Sequence, residues 1–545
     1  MFWILIKDIR LPLTELPEAA IEFAKRKMLS VTDKTNIITA SVYKRSIDAR
    51  RRGSITVVWS VAVGVERLPL PDVLEKSGMQ VMADSALEIT KGSEILSGRP
   101  LVVGFGPAGM FAALLLAENG YRPIVIERGD DTEKRLEAVA DFYRTGKLDT
   151  ESNIQFGAGG AGTFSDGKLM TRINDSRCRY VLRRFADLGA PEEIMTKAKP
   201  HVGTDLLVNT VSGIRDKIRE LGGEIHFRTA LKSFVTDAAG NVISVKTSNG
   251  EMPCGAVILA TGHSARDLYT YLGSNGFSMV EKPLSVGVRI EHKRADVENA
   301  LFGKEIMDKA RSDPKFKKLL GSAEYAYSYR ENDRGVYTFC MCPGGEVVAG
   351  ASEEGGVVVN GMSRSKRDGE NSNCAVCVSV TPDECRAFGG TMEFCRTLER
   401  RAYELGGGGY AAPIETVGDF LNGSTRLSEP SRIMPSYMGG NGNVKIARLD
   451  TLFPDYVTDM LRKGIKSFAK SMKGFDAPEA LLSGAETRTS APYRIIRLDE
   501  GSAIGHPNLY PCGEGAGYAG GITSAAVDGI SVAMQIMGRY APPKE

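Results

Sequence analysis

The chain has 545 residues, of which 42% are hydrophobic and 25% charged, proportions that exclude a largely disordered, collagen-like or coiled-coil protein. The net charge of +2 argues against a protein that mainly coats nucleic acid or an acidic membrane. The nine irregularly spaced cysteines do not resemble a secreted disulfide framework, and the N-terminus lacks a signal-peptide pattern, so we expect a soluble cytoplasmic protein with no membrane partner.

Residues 1–66 are predicted to form a small basic α+β domain, and residues 67–99, with their prolines and polar residues, a connector. Apolar alternation and helical spacing predict strands at Phe2–Lys7, Asn36–Tyr43 and Ser54–Val65 and a helix at Leu16–Met28.

A basic cluster lies between the last two of these strands. It comprises Lys44, Arg45, Arg50, Arg51 and Arg52. Such a cluster could contact RNA or an acidic electron-transfer protein. A solvated loop is the simpler interpretation, and the scarcity of aromatic residues nearby does not favour nucleic-acid binding.

The clearest motif follows the connector. Gly104, Gly106 and Gly109 form a GxGxxG sequence between an apolar strand and an apolar helix, and a second strand, Pro123–Ile126, ends at Glu127. The glycines permit a tight turn, close approach of a pyrophosphate and close helix–strand packing, and an acid at this spacing binds the adenosine ribose. The motif predicts a dinucleotide site, and it accounts for the long apolar run 101–117 without a membrane span.

NAD and FAD share this motif, so the choice between them depends on the rest of the chain. Near the C-terminus a short strand is followed by Gly513, Glu514 and the pair Gly520–Gly521, which opens a small-residue helix, Thr523–Ile536. An acid at this place accepts hydrogen bonds from ribityl hydroxyls, and the helix N-terminus faces the negative edge of a reduced flavin. The combination favours FAD.

Glycine makes up 61 of the 545 residues, about 11% where ~7% is typical. Part of this excess lies in residues 156–169, FGAGGAGTFSDGKL, a composition that cannot build a core and is suited to wrapping a ligand. Thr163, Ser165 and Lys168 would offer two hydroxyls and one cation to the cofactor.

Several motifs together carry a resemblance to a known family. They are VVGFGPAGMFAALLLAENG (102–120), FGAGGAGTFSDGKL (156–169), HVGTDLL (201–207), ILATGHSARD (258–267), VGVRIEH (286–292), CMCPGGEVV (340–348), VVNGMS (358–363), ETRTSAPYRI (486–495) and YPCGEGAGYAGGITSAA (510–526). Over nearly its whole length the chain resembles the uncharacterised FAD-dependent dehydrogenase family of the glutathione-reductase-like flavoproteins, in the p-hydroxybenzoate hydroxylase and geranylgeranyl reductase branch. One departure is the cysteine-containing sequence CAVCVSV (374–380), where aliphatic or small residues are expected.

The resemblance implies an α/β fold with a Rossmann-like FAD-binding domain, an inserted α+β substrate domain and the small N-terminal α+β domain. We expect the FAD domain at 100–267 and 500–545 and the inserted substrate or cap domain at 268–499. The residues predicted to bind FAD are Gly104, Gly106, Pro107, Ala108, Gly109, Glu127, Arg128, Gly160, Ala161, Gly162, Thr163, Ser165, Lys168, Leu231, Thr261, Gly262, Gly513, Glu514, Gly520, Gly521 and Ile522.

The catalytic residues are open, because a flavin performs the redox chemistry itself. Arg488 and Arg494 are candidates for gripping an anionic substrate, and surface ion pairs with Glu486 or Asp499 are the equal alternative.

Cys340 and Cys342 are candidates for a redox dithiol, although a disulfide two residues apart on a strand would be strained. The following Pro343–Gly345 turn is predicted to line the flavin face. A metal site shared with Cys374 and Cys377 is permitted by the spacing but not favoured.

The function predicted from these residues is FAD-dependent hydride transfer, through flavin N5, to or from an unidentified anionic small molecule. The alternatives are a flavin monooxygenase and an RNA-associated flavoprotein that uses the basic N-terminal domain. No second GxGxxG is assigned to NAD(P)H, so electrons would arrive from transiently bound NAD(P)H or from a ferredoxin or flavodoxin.

Overall fold

The computed structural model describes residues 1–50, 55–82, 87–437, 439 and 442–543, and it has the mixed α/β character that the sequence predicts. The strands are β1 (Phe2–Pro12), β2 (Ile37–Asp48), β3 (Thr56–Val65), β4 (Met79–Val81), β5 (Glu94–Ile95), β6 (Pro100–Val103), β7 (Ile124–Ile126), β8 (Glu224–His226), β9 (Leu231–Thr236), β10 (Val242–Thr247), β11 (Gly250–Pro253), β12 (Ala256–Leu259), β13 (Met279–Glu281), β14 (Leu284–Lys293), β15 (Ser328–Glu331), β16 (Arg334–Cys342), β17 (Glu346–Ala349), β18 (Val359–Met362), β19 (Asn371–Val380), β20 (Ala412–Thr416), β21 (Val444–Ile446), β22 (Leu481–Glu486), β23 (Tyr493–Ile495), β24 (Leu509–Pro511) and β25 (Tyr540–Ala541).

The α-helices are α1 (Pro17–Met28), α2 (Pro71–Lys76), α3 (Pro107–Glu118), α4 (Thr132–Thr145), α5 (Arg177–Asp187), α6 (Thr204–Glu220), α7 (Arg266–Ser274), α8 (Arg294–Phe302), α9 (Lys304–Ser312), α10 (Pro314–Leu320), α11 (Pro382–Cys385), α12 (Thr391–Leu405), α13 (Val417–Asn422), α14 (Asp455–Ala469) and α15 (Ile522–Arg539). None of these helices is both long and apolar enough to cross a membrane.

A five-stranded parallel sheet has the order β24-β12-β6-β7-β8. Its central strand β6 is buried along its whole length, because a parallel sheet is covered on both faces and its strands are continuously apolar. Helix α3, which follows β6, is buried from Ala108 to Ala117 and packs against α15. The apolar run 101–117 is therefore a buried strand–helix unit, as the motif predicts.

A seven-stranded sheet has the order β15-β16-β19-β14-β22-β20-β21. Its centre is the antiparallel pair β14–β19, which stays in register from Leu284 opposite Val380 to Lys293 opposite Asn371. Helix α14 packs against β15, β16 and β19. Residues 283–435 contain strands β14–β20 together with helices α8–α13.

The N-terminal sheet has the order β2-β3-β1-β4, and α1 packs against it. Segment 67–99, predicted to be a connector, contributes β4 to this sheet and β5, which pairs with β25. The backbone of Arg45 in the basic cluster bonds to Thr196 and Ala198, Arg50 pairs with Asp48, and Arg51 and Arg52 lie outside the described residues. The domain boundaries stay a prediction.

We expect Gly109→Ala to destabilise the protein, because a Cβ at this position would lie 1.9 Å from the carbonyl oxygen of Gly104. Such overpacking costs ~1–3 kcal/mol. The matched control is Gly538→Ala in α15, where a Cβ would meet nothing within 4 Å and where alanine is the better helix former by about 0.5–1 kcal/mol. Urea denaturation measures both free energies of unfolding, and equal effects of the two substitutions would contradict the close packing.

Candidate cofactor and active site

A cavity of about 510 Å³ lies where the carboxyl ends of β6, β7 and β12 meet the N-termini of α3 and α15. Its opposite wall comes from residues 338–341 and Glu486 of the seven-stranded sheet and from Arg488 and Thr489 just after β22. Ligands of α/β sheets bind at such carboxyl ends. The N-terminal turns of two helices also provide free N–H groups and a positive dipole end, which favour an anionic ligand.

The glycines of the first motif make one side of this cavity. A Cβ on Gly104 would lie 2.4 Å from the carbonyl oxygen of Ala260, so only glycine brings the two strand ends this close. Gly106 differs: its extended backbone suits any residue, and a Cβ there would meet only Gly160 at 3.8 Å. The space beside Gly106 is therefore open cavity, as a pyrophosphate cradle requires.

The carboxylate of Glu127 is almost fully occupied by backbone donors. One oxygen accepts from the N–H of Phe105 at 2.8 Å, and the other accepts from Gly129 at 3.0 Å and Gly157 at 2.9 Å. A carboxylate offers about four lone-pair directions, so roughly one is left for a ribose hydroxyl. Glu127 thus holds the turn of the first motif against the glycine-rich loop as well as facing the cavity.

The glycine-rich loop 156–169 lies along the cavity, with a 3-10 turn at Gly160–Phe164. Its shape depends on Arg135 of α4, which is 1% exposed and donates to the carbonyl oxygens of Asn153, Ala158 and Gly160. The sequence analysis missed this residue. The available signal was its spacing, because Arg135 shares the buried face of α4 with Val139 and Phe142.

The C-terminal motif completes the cavity with the carboxyl of Glu514 and the start of α15. Burial raises the pKa of the Glu514 carboxyl to about 7, and Lys282 acts in the opposite direction. A protonated or weakly ionised carboxyl at the cavity wall can donate to or accept from a ligand hydroxyl. Gly513 stands behind the wall, where its N–H donates to Asp528 at 2.7 Å.

The structure brings most of the predicted cofactor residues to this one cavity. Those that line it are Gly104, Gly106, Pro107, Ala108, Glu127, Arg128, Gly160, Ala161, Gly162, Ser165, Lys168, Leu231, Thr261, Gly262, Glu514, Gly520, Gly521 and Ile522. Gly109, Thr163 and Gly513 do not line it. Gly109 packs on Gly104, and the Thr163 hydroxyl donates to Ala158 inside the loop.

The candidate Arg488 lines the cavity, but its guanidinium is already paired with a buried carboxylate. It donates to both carboxylate oxygens of Glu399, at 2.9 and 3.1 Å, and Arg266 grips the same carboxylate. Burial raises the pKa of Glu399, but the two arginines outweigh it and hold that pKa below the ordinary value. The predicted surface ion pair of Arg488 with Glu486 or Asp499 is wrong. Glu486 pairs instead with Arg289 in the core.

Arg494 does not line the cavity. Its Nε donates to the carbonyl oxygen of Gly517 at 3.3 Å, and its guanidinium lies over the ring of Tyr518. The structure therefore gives Arg494 a role in holding the C-terminal motif rather than a contact in the cavity.

Cys340 and Met341 line the cavity, whereas the Pro343–Gly345 turn, predicted to do so, does not. Gly344 is instead packed against the backbone of Arg367. Cys342 is buried behind Cys340. Within the described ranges, no group of three or more histidine, cysteine, aspartate or glutamate side chains is placed to hold a metal ion, Cys374 and Cys377 included.

Comparisons with known proteins bear on the ligand of this cavity. Residues 283–489 match the family model described as FAD-dependent protein, C-terminal domain-like. An uncharacterized protein of Clostridium beijerinckii is 45% identical over 519 residues, which cover 94% of each chain. The chain therefore belongs to the same family as this Clostridium protein. It is an FAD-dependent flavoprotein, as the sequence predicts; the hydroxylase and geranylgeranyl reductase branch stays a prediction.

More distant similarities cover less of the chain or are weaker. Protein FixC of Azorhizobium caulinodans is 27% identical over 166 residues, 30% of this chain and 36% of that protein. Among solved structures, L-amino acid deaminase from Proteus vulgaris is 12% identical with a TM-score of 0.32, covering 84% of this chain and 97% of that one. Glycerol-3-phosphate dehydrogenase from Bacillus halodurans, complexed with FAD, is 10% identical with a TM-score of 0.34, covering 83% and 67%.

Glu514 predicts a pH dependence of the FAD-free protein. Its pKa of about 7 lies above the ordinary 4.5, so the folded state holds a proton that the unfolded chain loses. The free energy of unfolding should therefore fall as the pH rises from about 4.5 to about 7. We expect Glu514→Gln to remove its share of this fall and to make the apoprotein more stable than the wild type at pH 8. Glu415, whose pKa burial also raises to about 7, should still contribute to the fall in the variant.

Urea denaturation at pH 5 and pH 8 measures this difference. Glu75→Gln, at an exposed position on α2, is the matched control and should keep the wild-type pH dependence. An unchanged pH dependence in Glu514→Gln would show that Glu514 does not titrate in this range.

Proposed function

We propose that the protein is an FAD-dependent oxidoreductase acting on a small molecule that enters the cavity beside the seven-stranded sheet. The observation that carries this proposal is the convergence of two helix N-termini, a glycine cradle and Glu127 on one cavity of about 510 Å³. FAD, when bound, supplies the hydride chemistry at its N5 atom.

The residues present fit this cofactor. Gly106 leaves open space where a pyrophosphate would contact backbone N–H groups, and Glu127 retains about one acceptor direction for the ribose. Glu514, whose carboxyl has no protein hydrogen-bond partner among the described residues, is available to ribityl hydroxyls. The N-terminus of α15 is suited to the pyrimidine edge, where negative charge forms on reduction.

The second wall is suited to bind and orient a substrate. Lys168, Arg172 and Lys199 supply cations around the cavity, and Asp166 and Glu324 partly neutralise them. Three of these five groups are cations and two are carboxylates, which leaves a small positive excess among them and supports a small substrate with one anionic group. Electrons would be exchanged with NAD(P)H or with a ferredoxin or flavodoxin, since no second dinucleotide motif is assigned to NAD(P)H.

Gly106→Val tests the cofactor site. The backbone of Gly106 is extended (φ −82°, ψ −177°), so valine suits it, and its Cβ would enter the pyrophosphate cradle with Gly160 at 3.8 Å as its nearest protein contact. We expect an intact fold by circular dichroism and an FAD affinity at least about 100-fold weaker, or roughly 2.8 kcal/mol, by flavin fluorescence titration of the apoprotein.

The control is Gly335→Val in β16, where a Cβ would come no closer than 3.6 Å to Ser379 and which lies outside the cavity wall. This variant should bind FAD as the wild type does. Wild-type affinity in Gly106→Val would overturn the placement of the cofactor. Anaerobic reduction of the holoprotein with NADH, NADPH and reduced ferredoxin then identifies the electron donor.

A further inference from the structure

Strand β16 is irregular at the point where it reaches the cavity. Its pairing with β19 is regular up to Phe339 opposite Ala375, then shifts before Cys342 opposite Asn373. Cys340, inside this bulge, has a left-handed backbone (φ 46°), which non-glycine residues other than Asn and Asp rarely adopt. Such bulges redirect side chains next to active sites, and Cys340 lies in the cavity wall.

Two cations hold this bulge by its carbonyl groups. Arg289, wholly buried, donates to the carbonyl oxygen of Cys340 at 3.1 Å, and Lys168 donates to that of Met341. Cys342 is the immediate neighbour: its sulfur lies 3.3 Å from the carbonyl oxygen of Cys340 and 3.9 Å from a guanidinium nitrogen of Arg289. The two cysteines therefore lie in one cluster with both cations.

The charged and titratable groups that face Cys340 come from several elements. They are Lys168 and Asp166 of the glycine-rich loop, Arg289 of β14, Cys342 of β16, Cys374 and Cys377 of β19, and Glu486 of β22. Asp166 is also neutralised by Arg367, and Glu486 by Arg289. Lys168 and Arg289 are the two cations that bond directly to the bulge.

This environment separates Cys340 from the other cysteines. Hydrogen bonding from Cys342 lowers the pKa of the Cys340 thiol; burial opposes this, and Lys168 and Arg289 add to the lowering. The pKa of every other cysteine is raised. For Cys342 the main cause is its hydrogen bond with Cys340. For the rest the cause is burial: Cys178, Cys254, Cys374, Cys377, Cys385, Cys395 and Cys512. Of the nine thiols, Cys340 is the one whose pKa is lowered, and it lies in the cavity wall.

We propose that Cys340 and Cys342 form a redox-active dithiol and that the substrate class of the cavity is a small disulfide. The proposal rests on the proposed function for the location of the cavity beside the flavin site, and it names the substrate for that site. The bulge removes the alternation of a regular strand here, and the sulfur of Cys342 lies 3.3 Å from the carbonyl oxygen of Cys340, so the two cysteines are in direct contact. A strained disulfide has a high reduction potential, so this dithiol is oxidised only by an excess of the small disulfide and is easily regenerated.

The exchange balances as follows. The Cys340 thiolate attacks one sulfur of a disulfide RSSR, forming a Cys340–SR mixed disulfide and releasing RS⁻. The Cys342 thiol transfers its proton to RS⁻ and attacks the Cys340 sulfur, so the Cys340–Cys342 bond forms and the second RS⁻ leaves. The dithiol loses two electrons and the substrate disulfide gains them. Cys340 is the catalytic nucleophile, and Lys168 and Arg289 are positioning residues.

The first test is the alkylation rate of each cysteine in the full-length holoprotein. Iodoacetamide labelling between pH 5 and 9, read by mass spectrometry, should label Cys340 at least about 10-fold faster at pH 7 than any buried cysteine, because the thiolate is the reactive form. Lys168→Gln should shift the Cys340 profile to higher pH, and Lys168→Arg should restore it. A Cys340 profile that does not move with the charge at position 168 would overturn the role of the cations.

The second test adds hydroxyethyl disulfide. Two of the nine thiols should be lost, and the peptide containing residues 340–342 should be lighter by the two hydrogens of one new disulfide. Cys342→Ser should instead retain hydroxyethyl thiol on Cys340, and Cys340→Ser should lose no thiol. Cys395→Ser, which removes a buried cysteine outside the cavity wall, should behave as the wild type.

A wild-type protein that keeps only the mixed disulfide, or loses no thiol, would overturn the dithiol. Flavin absorbance measured on the same samples separates the two proposals. Bound FAD with an unreactive Cys340 contradicts the dithiol alone, whereas a reactive Cys340 in a protein that cannot bind FAD contradicts the proposed function alone.

Discussion

The contact on which the molecule depends is the approach of backbone to backbone around α3. Gly109 lets this helix lie against the turn at Gly104, and Gly529 lets α15 lie against the carbonyl of Ala108, since a Cβ at either position would come within about 2.1 Å of a carbonyl oxygen. Because no side chains separate these elements, the N-termini of α3 and α15 open into the same cavity. Two helix dipoles then act on one ligand, which neither segment could achieve alone.

Buried ion pairs hold the seven-stranded sheet in place beside that cavity. Glu399 of α12 is gripped by Arg266, which begins α7 beside the parallel sheet, and by Arg488. A carboxylate that is 2% exposed would be costly without these partners, and removing either arginine leaves it with only one. The paired Arg289 and Glu486 play the same part under the β16 bulge. The cavity therefore has one wall made from backbone and glycine and a second wall set by ion pairs.

These two walls differ in how far they could be predicted. The residues of the first wall can be predicted from local motifs, because a glycine that permits a turn or a close approach affects the backbone at its own position in the chain. Gly104, Gly106, Glu127 and Gly521 were predicted from spacing alone and line the cavity. Arg135 was missed because its partners are carbonyl oxygens 18 to 25 residues away. Arg488 was predicted to bind a substrate or to form a surface ion pair. Its buried position became clear only from its pairing with Glu399, which lies far away in the chain.

The amino-acid sequence by itself determined the parallel strand–helix units, the first wall of the cavity and the class of cofactor, because these depend on glycines and apolar runs that act within a few tens of residues. Only the tertiary structure decided the surroundings of Cys340. CMC in a sequence is compatible with a regular strand; the bulge in β16 is created by the fold, which also brings the wholly buried Arg289 of β14 and Lys168 of a distant loop onto its carbonyl groups. Electrostatic environment depends on distance in space, and that is what the fold supplies.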